Sequence, residues 1–512
     1  MKPAILLTGA TGLVGASLLR ALIEEDYPVI CLARPRNGHS PAMRIQHTLA
    51  ALSPDLTSPR KIKTHVETYC GDITQPQLGL SLTDYRHLAR TVTHVFHSAA
   101  AIRFAAADTH KVRLTNIGGT DNLLAFLQDA PAVEGLHYIG TAYIAGDRED
   151  RVYEDDTDKG QTFNNAYEES KFVAELRIRE FQRRALSKVT IYRPGIIVGD
   201  YLTGTTIRFN TMYQFLKVLH VLKSSYRPDS SGRTHMPIRV LADPRTTKNF
   251  VPIDYVVKLV MKIFSEPRLH GKTYHLVNHQ PPTMALIREV MLDVLQISGP
   301  TFVPPKSFQE NPPDEIERVF IDETKIYTPY LLKEPAFDNT HVRDIAPGSE
   351  YLCPPMDREA LLRLFEFAVH SGWGRNIWKR VLKPAENAQG RTQLIRSYFN
   401  DFLPSVMGRS IFADLDNLNA CIGFLFTDSR EKWTIEIKNG KLQQIRPLLP
   451  DRSQVNYELG DDTFAHIISG TLTPQEAFFT NKSKIKGDAL KGLKLAAIFD
   501  RFIKQYPYQG HD

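Results

Sequence analysis

Tyr167 and Lys171 stand four residues apart in Asn164-Asn165-Ala166-Tyr167-Glu168-Glu169-Ser170-Lys171, where a helical pattern begins. On a helix they share one face, a turn apart. A tyrosine with an ordinary pKa of about 10 is a poor proton donor and acceptor at neutral pH, and a neighbouring ammonium favours its phenolate. The expectation is a phenol brought down toward working range. Thr141, closing the strand pattern Leu136-His137-Tyr138-Ile139-Gly140-Thr141, can hydrogen-bond the same substrate oxygen. Together they make a proton-transfer site, although a surface tyrosine beside a solvated lysine has the same spacing in many helices. What surrounds the pair decides between the two.

The first element that must accompany such a site stands at the start of the chain. The run Ala4-Ile5-Leu6-Leu7 leads into Thr8-Gly9-Ala10-Thr11-Gly12-Leu13-Val14-Gly15, which opens the helical pattern Ala16 to Ile23. A strand, a glycine turn and a helix N-terminus let the backbone approach a pyrophosphate and point free amides at it. A second strand pattern, Tyr27 to Ala33, ends at Arg34, where an NAD-specific site would place an acidic residue. A cation there favours the 2′-phosphate of NADP, with Arg44, and less so Arg36, close enough in sequence to assist.

Further along, Asp72, followed by Ile73, closes the third strand and either accepts from an adenine amino group or caps a turn. Ser98 to Ala101, including Ala99, follow the fourth strand with side chains small enough for a backbone to pass beneath a cofactor. His97 reads as a residue that orders the strand end. Asn116 lies in a helical pattern from Asp108 to Gln128 that should be partly buried, so its amide needs partners.

Strands and helices alternate through this half, which predicts an α/β fold with a doubly wound parallel sheet. At 512 residues two or three domains are expected. From about 200 to 345 the pattern loosens into helices and Pro-rich loops, read as a substrate cap. The boundaries are 1–380 for the first domain, 381–400 for a linker centred on Lys383 to Gly390, and 401–508 for a smaller α+β unit.

In that unit Lys432 to Ile437 and Asn439-Gly440-Lys441 signal a hairpin. Phe464, Ile467, Ile468, Phe478, Phe479, Leu490, Leu493 and Leu495 are expected to bury one apolar face. Lys482, Lys484 and Lys486 read as a solvated strand face.

The net charge of +6 is spread along the chain and gives a nucleic-acid role little support, while leaving room for acyl carrier proteins, coenzyme A phosphates or anionic lipid. Four cysteines, Cys31, Cys70, Cys353 and Cys421, show no metal-ligand spacing, so reduced thiols and no metal are expected. The first strand pattern starts too near Met1 for a cleavable signal, and no apolar run is long enough to span a bilayer. A soluble cytoplasmic protein is expected, with peripheral membrane contact left open.

On Gly9/Gly12/Gly15, Asp72, Asn116, Thr141, Tyr167 with Lys171, and Asn249 to Val256, residues 1 to 345 resemble an extended short-chain dehydrogenase/reductase. Leu32-Ala33-Arg34, Ala42 to Ile45, His97 to Ala100, Thr141-Ala142-Tyr143, Tyr330-Leu331 and Phe337-Asp338 are most similar to its thioester reductase and fatty acyl-CoA reductase branch. The resemblance implies that Thr141, Tyr167 and Lys171 are catalytic, that Asn116 supports a proton relay, and that NADPH reduces a long-chain acyl thioester, on coenzyme A or an acyl carrier protein, to aldehyde or alcohol. The same site also serves hydroxysteroid and other lipid alcohol/ketone oxidoreductases. Most of 402 to 504 resembles the sterol carrier protein type two fold, on Gly-x-Leu-Thr-Pro and Lys-Ile-x-Gly-Asp, which implies a lipid-binding module. A lipid-transfer protein with a regulatory cofactor domain is the reading from outside the enzymes.

Overall fold

The computed structural model describes residues 2–512 except 37–38, 53–58, 185–187, 346–347, 349, 375–376, 378–387, 408–417, 450–454, 471, 507 and 509–512. Seven parallel strands form the main sheet: β1 Ile5–Thr8, β2 Val29–Ala33, β3 Val66–Cys70, β4 His94–His97, β5 Gly135–Ile139, β6 Lys188–Pro194 and β7 Thr273–Leu276. Their order across the sheet is β7-β6-β5-β4-β1-β2-β3, with the reversal beside β1 opening a crevice at the strands' carboxyl ends.

The central strands β1, β2, β4 and β5 are buried along their whole length, as continuous apolar runs require when helices cover both faces. Ile5, Leu7, Cys31 and Phe96 face α1 (Leu13–Glu24) and α4 (Ile253–Ser265). The alternate residues Leu6, Ile30, Val95 and Leu136 face the helices Leu82–Thr91 and Gly119–Asp129 and α2 (Ala166–Arg184). The doubly wound sheet expected from the sequence is thus present. Residues 253–276, which the sequence reading places in the cap, return to supply α4 and the edge strand β7.

The predicted helix Asp108–Gln128 is broken. Its α-helical parts, Thr109–Arg113 and Gly119–Asp129, flank a π turn at Leu114–Gly118 that contains Asn116. The cap is built round α3 (Met212–Leu222) and the helices Met284–Leu295, Glu315–Thr324 and Arg358–His370, sharing one apolar core.

The C-terminal unit is a mixed sheet of β8 Ala420–Phe426, β9 Lys432–Lys438, β10 Lys441–Arg446, β11 Val455–Leu459 and β12 Ser483–Gly487 in the order β10-β9-β8-β11-β12. The Asn439-Gly440 hairpin forms, both residues taking positive φ (49° and 68°) as that tight turn demands. Of the proposed linker, 381–387 lies outside the described residues. Residues from 388 onward form α5 (Ala388–Ser397), and Ile395, Tyr398 and Phe399 pack into the C-terminal core.

The eight apolar residues expected to bury one face divide between two cores. Phe464, Ile467, Ile468 and Leu495 pack within the C-terminal unit, while Phe479 and Leu493, flanked by Phe478 and Leu490, join the cap core. They come from α6 (Pro474–Phe479) and α7 (Ala489–Gln505), which lie against α3. There Lys217, 3% exposed, donates to the carbonyls of Phe478 and Phe479 at the end of α6. The two units therefore share buried apolar and polar contacts.

Candidate active site

Gly9 takes φ +80°, and a Cβ there would lie 2.6 Å from the Ala99 backbone nitrogen, so only glycine lets β1 turn this close to the end of β4. A Cβ on Gly15 would lie 2.2 Å from the Gly9 carbonyl oxygen, so that position too is closed to a side chain. Gly12 N–H donates to the Gly9 carbonyl at 2.8 Å, and Gly12 caps α1 without a side-chain hydrogen bond. Thr11 and Leu13 to Gly15 thus form a turn and a helix start whose amides no side chain caps, as an anion site requires.

Beside it Arg44 donates to the Arg34 carbonyl and, at 3.3 Å, to Thr11 Oγ1. Burial, then the charges of Arg36, Arg34 and Arg208, hold the Arg44 pKa below its ordinary value. A cluster of arginines in which Arg34 meets a single carboxylate, that of Asp72, fits a phosphate ester. Asp72 Oδ1 accepts from Thr74 N and Oγ1, both at 2.9 Å, and Oδ2 accepts from Arg34 at 3.3 Å. Burial raises the Asp72 pKa, but those bonds and Arg34 outweigh it and leave the carboxyl below its usual range. Asp72 therefore caps its own turn, and Ile73 is buried with its side chain against Gly119.

Across the sheet, His97 is buried between Thr8 Oγ1 at 2.8 Å and Thr120 Oγ1 at 3.3 Å. Burial, then Lys171, lower its pKa to about 3, so it stays neutral and orders the strand end. Asn116, 2% exposed, accepts from Ala101 N at 2.7 Å and donates to the Ala101 carbonyl at 3.1 Å and Ser170 Oγ at 2.9 Å. Its side chain is fully used in tying the loop after β4 to α2. The π turn supplies the inward placement, which a straight helix at that register would not.

The Thr141 hydroxyl lies beside the Tyr167 phenol and favours its ionised form. Burial raises the phenol to about 12, partly offset by Thr141, the reverse of the direction expected from sequence. The reason is where Lys171 points. Its ammonium donates to the Ile139 carbonyl at 2.7 Å and lies 4.2 Å from the centre of the Tyr138 ring. Burial lowers its pKa to about 7 against the pull of Glu175, itself paired with the buried Arg193 at 2.6 Å.

Several neighbours of the site were not singled out as site residues. Phe104 stacks 5.7 Å from Tyr167, with Tyr327 and Tyr330 beyond it at 5.5 and 6.0 Å. Glu168 and Glu334 are buried carboxylates that accept from Tyr330 and Tyr143. Tyr143 and Tyr330 carried part of the family resemblance, but nothing local in the sequence marks their partners.

Residues 7–260 match the family described as male sterility protein, and residues 405–500 the SCP-2 sterol transfer family. The chain is 30% identical over 289 residues to a nonribosomal peptide synthetase, asaC, of Aspergillus flavus, covering 54% of this chain and 26% of that protein. It is 27% identical over 296 residues to the L-2-aminoadipate reductase large subunit of Penicillium chrysogenum, covering 54% and 20%. The chain thus spans about a quarter or less of the length of these curated relatives. Among solved structures, the terminal R domain from the myxalamid PKS-NRPS pathway superposes with TM-score 0.60 at 25% identity, over 73% of this chain and 92% of that one. Together with the glycine turn and the crevice, these matches place residues 7–260 among the NAD(P)-dependent extended short-chain dehydrogenase/reductases of the male sterility protein family, and residues 405–500 in the SCP-2 sterol transfer family.

Proposed function

We propose that the chain reduces an acyl thioester, carried by coenzyme A or an acyl carrier protein, using NADPH. The observation that carries this reading is the half-buried Tyr167 with the Thr141 hydroxyl beside its phenol, on a fold that also carries the glycine turn and its arginines. The likeness to an R domain of a PKS-NRPS pathway and to a nonribosomal peptide synthetase favours a thioester over a free ketone.

Gly9, Thr11, Gly12, Leu13, Val14 and Gly15 hold the pyrophosphate, Arg34 and Arg44 the 2′-phosphate, and Asp72, Ile73 and Ala99 flank the adenine and the path of the cofactor. When bound, the cofactor supplies a hydride. Tyr167, kept protonated by burial, donates to the oxygen that becomes negative as the carbonyl is reduced, and Thr141 steadies the same oxygen. Lys171, bonded to the Ile139 carbonyl, holds the start of α2 against β5, and Asn116 holds the loop and helix that frame the phenol. The hemithioacetal that results expels its thiol and leaves an aldehyde; reduction on to the alcohol would take a second hydride, after the oxidised cofactor is exchanged.

The SCP-2 unit contains a small apolar pocket of about 30 Å³ lined by residues that include Ile422, Ile435, Leu495 and Phe499. Its apolar lining matches an acyl chain in chemistry, and the pocket would have to widen to take the chain of substrate or product. Among the described residues no helix is long and apolar enough to cross a membrane, and the free cysteines suit the reducing cytoplasm.

The test is NADPH consumption with a panel of long-chain acyl-CoAs, acyl carrier protein thioesters, fatty aldehydes and 3-oxosteroids, products being identified by mass spectrometry. Thiol release with aldehyde or alcohol is the expected result. Ketosteroid turnover with inert thioesters would overturn the reading in favour of a steroid-type enzyme.

A further inference from the structure

One short cap segment, Tyr330 to Glu334, grips both elements that carry the Thr141–Tyr167 pair. The Tyr330 hydroxyl donates to Glu168 and accepts from Asn165 Nδ2 at 2.6 Å. Glu168 is tied to the residues before the helix as well: its N–H donates to Asn165 Oδ1 at 3.1 Å, and its carboxylate accepts from Asn164 N–H at 2.9 Å. Tyr167 lies between Asn165 and Glu168 in the first turn of α2, so these bonds set where its phenol stands.

On the other side Glu334 accepts from the hydroxyl of Tyr143, two residues beyond Thr141, and Lys333 donates to the Asp147 carbonyl at 3.0 Å. The Tyr143 and Tyr330 rings meet at 5.8 Å, closing the gap between the two grips.

The carboxylates that accept these bonds are buried, which is what makes the contacts decisive. Glu168 is 0% exposed, and the Glu334 side chain is 1% exposed with Lys248 3.7 Å away. A buried carboxylate deprived of its partner is costly, so neither element can shift against the cap without breaking a bond that water does not replace. Residues separated by 162 and 191 positions in the chain are brought into register this way.

We propose that Tyr330 and Glu334 are positioning residues: the cap segment they belong to clamps α2 and the turn after Thr141 together and so sets the Thr141–Tyr167 geometry. The proposal rests on the assignment of that pair as the reacting site, and its consequences for turnover rest on the thioester reading.

The test uses the full chain with Tyr330→Phe, which keeps the ring and removes both hydroxyl bonds, and with Glu334→Gln and Glu334→Ala. Tyr330→Phe and Glu334→Ala should lower kcat about ten- to a hundredfold, the scale of an ångström-sized misplacement, with KM and NADPH affinity unchanged. Glu334→Gln, still able to accept from Tyr143, should recover most of the loss. Hydrogen exchange should rise at 142–145 and 165–171 in the two damaging variants and nowhere in the main sheet. Unchanged exchange in those two segments, or exchange that rises throughout the molecule, would overturn the clamp. If wild-type protein does not reduce thioesters, the exchange readout still decides the clamp, and only the proposed activity fails.

Discussion

Lys171 holds its ammonium 4.2 Å from the centre of the Tyr138 ring, so the lysine one turn beyond Tyr167 is tied to strand β5 and not to the phenol. The ring face and the Ile139 carbonyl replace part of the hydration it loses. Burial still wins and leaves its pKa near 7.

That shift gives Lys171→Met a defined pH signature. Between about pH 7 and 10.5 the unfolded chain keeps a proton that folded Lys171 has shed, so wild-type stability rises with pH through that window. Relative to wild type the variant should be most favoured near pH 6 and lose ground by pH 9, read as the difference in Tm. A difference that does not vary with pH would show that Lys171 is not neutralised by burial.

Tyr167→Phe should reduce turnover by at least about a hundredfold, the lower range for a lost general acid, while NADPH binding is retained. Fluorescence titration with NADPH beside steady-state rates separates the two. Loss of cofactor binding would make Tyr167 a structural residue.

Arg34→Asp should weaken NADPH by about ten- to a hundredfold, as expected for one charge-assisted hydrogen bond to phosphate, and leave NADH nearly unaffected. Arg44→Ala should act in the same direction, since it also frees the Arg34 carbonyl and Thr11. Equal weakening of both cofactors would remove the reason for choosing the phosphorylated one.

Gly15→Ala places a methyl group 2.2 Å from the Gly9 carbonyl oxygen, and backbone on both sides leaves it nowhere to go. The turn should open at a cost of about 1–3 kcal/mol, the usual scale of overpacking. A lowered Tm together with lost NADPH binding is the expected outcome, and a variant that melts and binds like wild type would refute the geometry.

Phe479→Asp puts a charge into the apolar contact between α6 and the cap, where the side chain is 7% exposed. It should split thermal unfolding into two transitions while cofactor binding by the sheet unit persists. A single unchanged transition would mean that the contact does not couple the units.

Local pattern was enough to place the candidate cofactor and proton-transfer residues on their elements. The glycine turn, Arg34 and the Tyr167/Lys171 spacing are short-range features: backbone sterics and helical periodicity act over a few residues, and the structure places each on the strand, turn or helix that its pattern predicts. The hairpin at Asn439-Gly440 is legible for the same reason, because the turn type restricts its residues.

Only tertiary structure decided what those residues touch. Periodicity marked Phe479 and Leu493 as buried, but not that they bury in the cap while Phe464 and Leu495 pack at home. It placed Lys171 beside Tyr167, but the direction of each pKa follows from desolvation by strands and cap loops far away in the chain. Asn116 reaches Ala101 and Ser170 from the π turn, and Glu168 and Tyr143 find their partners in a cap segment 162 and 191 residues further along the chain. Burial is a property a residue type can announce, whereas a partner is chosen by topology.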